Sequence, residues 1–297
     1  MTEASRPETT RLGYVGLGNI GGPMAVRLAE SSPLTVFDVS PEPVAKLVEA
    51  GATAADSLAD LATASDLVSL CVRDDAQVVE VVTGLLGHLA AGSTIVVHST
   101  ISPETAAAQA ARCAERDIAL LDAPISGGAA GAQQGRLAIM VGGDRAAYEA
   151  VKAALAPAGD MIVHAGPAAG DGTKMKLARN LLHFISFAAT TEAARLAEAA
   201  GIDIAKLGRV VRHTDAITGG AGAIMLRDST APIEPDDFWF SVFTHVRDLG
   251  EKDLGLALNL ADQLGVDLPM GRVARTDLAA GLGVPHTPLP TPAEGAS

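Results

Sequence analysis

The sequence predicts an α/β fold: a doubly wound, mostly parallel sheet, then an all-helical domain joined to it through a long helix. Three observations predict this. Apolar runs of strand length alternate with helical patterns up to about residue 166, as in successive βαβ units. From Gly201 onward only helical patterns remain. Between the two, Gly170-Asp171-Gly172 opens a stretch without another Gly or Pro until Gly201, which reads as a long helix beginning at a flexible joint.

Taken in order, residues 1–10 are a polar tail expected to be disordered. Arg11 to Gly18 reads as a strand running into Gly16-Leu17-Gly18-Asn19-Ile20-Gly21, with a helix over 20–30. A strand over 34–37 ends at Asp38. Ser40-Pro41 then sets an N-cap with proline in the first turn of a helix to about residue 50. A short strand near Thr53, a helix from Ser57, a strand over 67–72 and a helix from Asp75 follow. The strand over 94–98 leads to Ser102-Pro103-Glu104, a second cap-and-proline start. The strand over 118–122 runs into 123–131, a segment too glycine-rich to expect a regular element. A strand over 137–141, a helix from Asp144 and a strand over 161–164 complete a domain spanning 11–166. The helical domain, 167–284, carries helices expected over 203–213, 222–228, 238–264 and 270–280. The proline-rich tail, 285–297, is expected to be disordered.

Composition narrows the function. The 297 residues carry a net charge of −13, which argues against nucleic acid or an anionic membrane as partner. A small anionic substrate remains open, because a pocket can be positive on an acidic protein. Cys71 and Cys113 lie in or near apolar patterns and read as buried thiols of a reducing compartment. With no apolar segment resembling a signal peptide and no membrane-length run, a cytoplasmic location is expected. The seven histidines lack metal-ligand spacings, so no metal site is expected.

The GxGxxG at Gly16, Gly18 and Gly21 gains weight from its place after a strand and before a helix. Gly16 permits a tight turn, Gly18 lets the backbone approach a pyrophosphate, and Gly21 lets helix pack on strand. Asn19 and Ile20 complete the loop at the helix start, where an anion is favoured. Asp38 stands about 20 residues on, where a carboxylate accepts from both ribose hydroxyls and repels a 2′-phosphate. No Arg or Lys follows until Lys46. The expected cofactor is NAD. On the long helix, Lys176, Asn180, His183 and Phe187 fall on one stripe, while Lys174 points almost the opposite way.

At these motifs the sequence resembles the β-hydroxyacid dehydrogenase family, of which 3-hydroxyisobutyrate dehydrogenase is the type. Four motifs match in order: Gly16 to Ala25; Asp122-Ala123-Pro124-Ile125-Ser126-Gly127-Gly128 with Gly131, Ala132 and Gly135; Gly170, Gly172, Lys176 and Asn180; and Lys252-Asp253-Leu254. Ser99-Thr100 with Pro103 is similar to the family's cofactor-side loop. The resemblance implies a Rossmann domain followed by a helical domain, with the site expected in the cleft between them. It implies a substrate-carboxylate cradle at Ser126, Gly127 and Gly128, Lys176 as acid/base, and Asn180 as its orienting and substrate-binding partner. Lys252 is then a second positive group near nicotinamide and substrate, and the assembly a homodimer or homotetramer. The implied reaction is reversible NAD-dependent oxidation of a short 3-hydroxy acid. Departures fall at Arg136, over 212–222, and after Asp277. An imine reductase-like reading shares the fold but usually replaces the lysine. A phosphogluconate-type reading needs a His where Arg179 stands. A non-catalytic NAD-binding module commonly loses the lysine.

Overall fold

The computed structural model describes residues 10–286. The expected tails thus lie outside the described residues over 1–9 and 287–297. In chain order the elements are β1 (Leu12–Val15), α1 (Gly21–Ala29), β2 (Leu34–Phe37), α2 (Pro41–Glu49), β3 (Thr53–Ala54), α3 (Leu58–Thr63), β4 (Leu67–Leu70), α4 (Asp75–Leu86), β5 (Thr94–Val97) and α5 (Pro103–Ala114). There follow β6 (Ala119–Asp122), β7 (Ile125–Ser126), α6 (Gly128–Gln134), β8 (Ala138–Gly142), α7 (Arg145–Leu155) and β9 (Met161–Gly166). The last four helices are α8 (Asp171–Ala199), α9 (Ile204–Thr218), α10 (Phe238–Leu264) and α11 (Pro269–Leu282). The chain divides into two compact units inside α8, one ending at Asn180 and the other beginning at Leu181.

The first unit holds one sheet in the order β3-β2-β1-β4-β5-β6-β8, with β7 and β9 both pairing β8. Strands β1 to β6 are parallel, while β8 runs antiparallel to β6 and β7. Alternating strand residues feed two cores, one on each face: Leu12, Tyr14, Val96 and Leu121 on one side, Val15, Val68, Leu70 and Ile95 on the other. Burial on both faces explains the near-continuous apolar strands. Helix starts follow their caps, with Ser57, Asp74, Ser102 and Asp144 each accepting a backbone N–H through the side chain. The strand order reverses between β1 and β4, which opens a crevice at their carboxyl ends.

Two expectations needed correction. The segment over 123–131 is not irregular. Ile125 and Ser126 pair with Ile139 and Ala138 as β7, and Gly128 to Gln134 form α6. Three alanines and two glutamines supply enough helix propensity to carry the two glycines. No helix spans 222–228; a single 3-10 turn covers Gly220–Gly222. There α9 ends at Gly219, whose φ of +90°, followed by +55° at Gly220, is left-handed, and three glycines in four residues oppose renewed helix.

In the second unit a core of Ile233, Phe243, Leu282 and Val284 packs with Trp239 and Phe240. The buried Glu192 carboxylate accepts the N–H groups of Met270 at 2.8 Å and Gly271 at 2.9 Å, capping α11, whose own N-cap Leu268 has no side-chain acceptor. Among the described residues no helix is long and apolar enough to cross a membrane.

Candidate active site

The crevice beside β1 is shaped by its three motif glycines. Gly16 has φ +89°, and a Cβ there would lie 2.4 Å from the Cys71 carbonyl oxygen. A Cβ on Gly21 would lie 2.1 Å from the carbonyl oxygen of Gly16, so α1 abuts the turn directly. A Cβ on Gly18 would meet nothing within 4 Å, leaving its backbone open to a ligand. Asn19 beside it is exposed, and Ile20, the N-cap of α1, provides no side-chain cap. In the first turn the Gly22 N–H donates to the Gly18 carbonyl at 2.9 Å and Pro23 has none, which leaves the N–H of Gly21 as the helix-start donor for an anion. Asp38 is oriented before any ligand arrives: Oδ2 accepts the N–H of Leu17 at 2.6 Å and Oδ1 that of Ser40 at 2.8 Å. Its remaining lone pairs face a cleft of about 400 Å³ that Gly16, Gly18, Leu58, Val72 and Val81 also line. This donor and acceptor set fits a dinucleotide. The cleft also contains Arg73, which the sequence reading did not connect with Asp38. It arrives from the β4–α4 turn and pairs with Asp74 at 3.1 Å.

Ser99 and Thr100 follow β5 at the same end of the sheet. The Ser99 hydroxyl is committed internally, donating to the Val72 carbonyl at 2.7 Å and accepting its N–H at 2.9 Å; Thr100 is exposed. Ser99 therefore ties the turn after β4 to the turn after β5.

Further along the sheet, Lys176 is only 9% exposed. Its Nζ donates to Ser126 Oγ at 2.8 Å and to the Ile125 carbonyl. Burial, and secondarily the nearby Arg179 guanidinium, hold this ammonium below the ordinary lysine range. Lys174 points elsewhere and pairs with Asp171 at 2.9 Å, largely exposed. Beyond Ser126 the backbone turns through Gly127 and Gly128 at φ +132° and +63°, both exposed. A Cβ on Gly128 would meet nothing within 4 Å, so the loop presents bare backbone to open space. Asn180 lies one turn beyond Lys176, its Oδ1 accepting from Arg179 at 3.3 Å.

Two further residues set this geometry. Asp122, at the end of β6, has no exposed surface. Its carboxylate accepts the N–H of Gly170 and of Thr173, each at 2.6 Å, and so fastens the first turn of α8 to the strand that leads into the Ser126 loop. Helix and sheet come this close because Gly172 and Gly142 lack side chains: a Cβ on Gly172 would lie 2.3 Å from the Met140 oxygen. His98, also buried, faces the Ala123 carbonyl through Nδ1 at 2.9 Å and Ser69 Oγ through Nε2 at 3.3 Å. Burial lowers its pKa to about 4, so it is neutral at working pH. Nδ1 therefore carries the hydrogen it donates to Ala123, and Nε2 accepts from Ser69. Asp122 stands in a recognisable motif, but nothing in the sequence pairs it with amides 48 and 51 residues away. Lys252 belongs to the second unit, on α10, where it is exposed and pairs with Asp253 at 3.2 Å.

A parallel sheet with a dinucleotide crevice at its switch point, and a buried lysine docked on a glycine-rich loop of the same unit, define an oxidoreductase that binds a nicotinamide cofactor. Residues 11–166 match the family profile described as the NAD binding domain of 6-phosphogluconate dehydrogenase. Residues 170–283 match that described as NAD-binding of NADP-dependent 3-hydroxyisobutyrate dehydrogenase. The chain belongs to the β-hydroxyacid dehydrogenase family. It is 36% identical to a 3-hydroxyisobutyrate dehydrogenase of Pseudomonas aeruginosa over 281 residues, covering 90% of each chain. A crystal structure from Mycobacterium avium 104, whose protein bears a provisional oxidoreductase designation, superposes with a TM-score of 0.90 at 55% identity, covering 93% of this chain and all of that one. An imine reductase of Streptomyces aurantiacus shares the fold, with a TM-score of 0.72 at 22% identity over 93% of this chain and 96% of that one.

Proposed function

We propose that the protein catalyses the reversible, NAD-dependent oxidation of a short, 3-hydroxyisobutyrate-like 3-hydroxycarboxylic acid to its 3-oxo acid. One observation carries this reading: the Nζ of a buried lysine rests 2.8 Å from Ser126 Oγ, at the head of an exposed glycine loop. The lysine has a depressed pKa and suits proton exchange, and the loop suits a carboxylate. Ser126 accepts from Lys176 and keeps its own O–H to donate to a substrate carboxylate, alongside the N–H groups of Gly127 and Gly128.

The bound nicotinamide supplies the hydride acceptor for oxidation and the donor for reduction. The chain handles the proton. In oxidation, neutral Lys176 takes the hydroxyl proton on Nζ; in reduction, its ammonium polarises the carbonyl and returns the proton to the oxygen. Asn180, its Oδ1 accepting from Arg179, is assigned to donate through its amide N–H groups to the same oxygen. Asp38 is assigned to the ribose hydroxyls of NAD.

An imine reductase shares the fold, but a lysine docked on an anion-binding loop favours a hydroxy acid. We also propose self-association into a homodimer or homotetramer, supported by exposed apolar side chains on the helical unit such as Phe184, Ile217 and Phe238. The free Cys71 and Cys113 thiols support a cytoplasmic setting.

The test is turnover with NAD on a panel of 3-hydroxy acids and their methyl esters. Loss of charge-assisted hydrogen bonds, about 1.5–3 kcal/mol each, makes each ester slower by at least about tenfold. Equal turnover of acid and ester refutes the cradle, and no turnover of any acid refutes the reaction.

A further inference from the structure

Within α8, charge is distributed unevenly. Lys174 is neutralised by Asp171 at 2.9 Å. Lys176 and Arg179, one turn apart, are not: Lys176 Nζ contacts only a carbonyl and a hydroxyl, and the guanidinium of Arg179 donates only to Asn180 Oδ1, at 3.3 Å. Neither forms an ion pair with any described residue, in a chain with 35 acidic and 22 basic residues.

Like charges at this helical spacing repel, and this repulsion adds, after burial, to the lowering of the Lys176 pKa. Steps of three and four residues turn about 300° and 400°, so Arg179 and Asn180 flank Lys176 on opposite sides. Arg179 is exposed, and its planar fork is suited to bidentate capture of an oxyanion. In the dehydrogenase reading, on which this inference rests, the carboxylate next to the reacting carbon is already held by Ser126, Gly127 and Gly128. A monoanionic substrate would leave Arg179 without a counter-charge.

We propose that Arg179 is a specificity-determining residue that binds a second anionic group, so that the preferred substrate is a 3-hydroxy acid with a second carboxylate or a phosphonate-like group on its side branch.

Three compounds with one skeleton test this: 2-(hydroxymethyl)butanoate, 2-(hydroxymethyl)butanedioate, and 3-hydroxy-2-(phosphonomethyl)propanoate. The expected result is a kcat/KM for one or both dianions at least about tenfold above the monoanion, the scale of a charge-assisted bond. The more reactive dianion identifies the second group as carboxylate or phosphonate. Arg179→Gln should collapse the preference to near unity, and Arg179→Lys should retain part of it. Binding is read separately, as thermal stabilisation by butanedioate over butanoate in the presence of NADH, lost in Arg179→Gln. Equal wild-type turnover of monoanion and dianions overturns the proposal. So does an Arg179→Gln variant that slows all three compounds by the same factor. If none of the three turns over but the Arg179-dependent stabilisation by butanedioate persists, the subsite stands and the dehydrogenase reading falls.

Discussion

Asp122→Asn separates a residue that positions the reaction from one that merely holds the fold. The wild-type carboxylate is fully buried and accepts two N–H groups at 2.6 Å. Burial pushes its carboxyl above the usual carboxylate range, against the opposing effect of the Gly170 and Thr173 hydrogen bonds. A carboxyl with a folded pKa above its unfolded one contributes stability that is fully present below the unfolded value and is lost as pH rises through the folded value. Burial thus works against the charged form as pH rises, and stability alone does not account for a carboxyl at this position. The asparagine keeps one acceptor and turns its NH₂ toward the other N–H. One buried donor then goes unsatisfied, at about 1–3 kcal/mol, and the remaining bond loses its charge assistance, about 1 kcal/mol. Relief of the buried charge offsets part of this, leaving a net loss of about 1–3 kcal/mol. Melting should fall by about 2–4 °C per kcal/mol. The first turn of α8 would no longer be fixed to β6, and Lys176 Nζ would shift relative to Ser126. A displacement near 1 Å reduces turnover by about 10². The NADH dissociation constant should stay within about threefold, because the dinucleotide crevice is built from Gly16 to Gly21 and Asp38. Steady-state kinetics, NADH titration and thermal melts on one preparation decide the matter. A lower melting temperature with unchanged kcat would refute the positioning role.

Lys176→Ala should lose about 10²–10⁴ in turnover with near-normal NADH affinity, the usual worth of a positioned proton donor. Lys174→Ala, which removes only the Asp171 ion pair, should stay within about tenfold; a dead Lys174 variant beside an active Lys176 variant would place the chemistry on the wrong face of α8. Matched initial rates should favour NAD over NADP, since Asp38 opposes a 2′-phosphate and Arg73 is already paired with Asp74. Equal efficiency with NADP would mean that Arg73 leaves Asp74 to bind the phosphate.

The sheet was legible because its signals are local. Four-residue apolar runs, caps such as Ser102-Pro103, and the turn glycine Gly16 each determine their own neighbourhood. The parallel, doubly wound character of β1 to β6 follows from the alternation, but their order does not, because crossovers of one hand allow more than one order; the structure supplies it. The errors came where a local signal was overruled or ambiguous. Glycines in 123–131 suggested a loop, yet β8 was available to pair Ile125 and Ser126, and alanines carried α6. Over 222–228 the apolar residues suggested a helix, but the preceding left-handed glycines redirected the chain.

At the site, the sequence indicated the residues proposed to contact ligands but not those that support them. Lys176 and Asn180 are four apart on one helix, so their shared face follows from helical geometry. That Lys176 reaches Ser126, 50 residues earlier, follows from no spacing rule. It requires α8 to start against the end of β6, which depends on the missing side chains of Gly142 and Gly172 and on a carboxylate whose partners are backbone amides. A backbone amide has no identity in the sequence, so an acceptor serving one cannot be paired with it by inspection. The same holds for His98, whose neutral ring tethers the Ala123 carbonyl from beneath the loop: in the sequence it is a lone histidine after an apolar strand. The supporting layer consists mainly of side chains bonded to backbone, and for that reason only the structure reveals it.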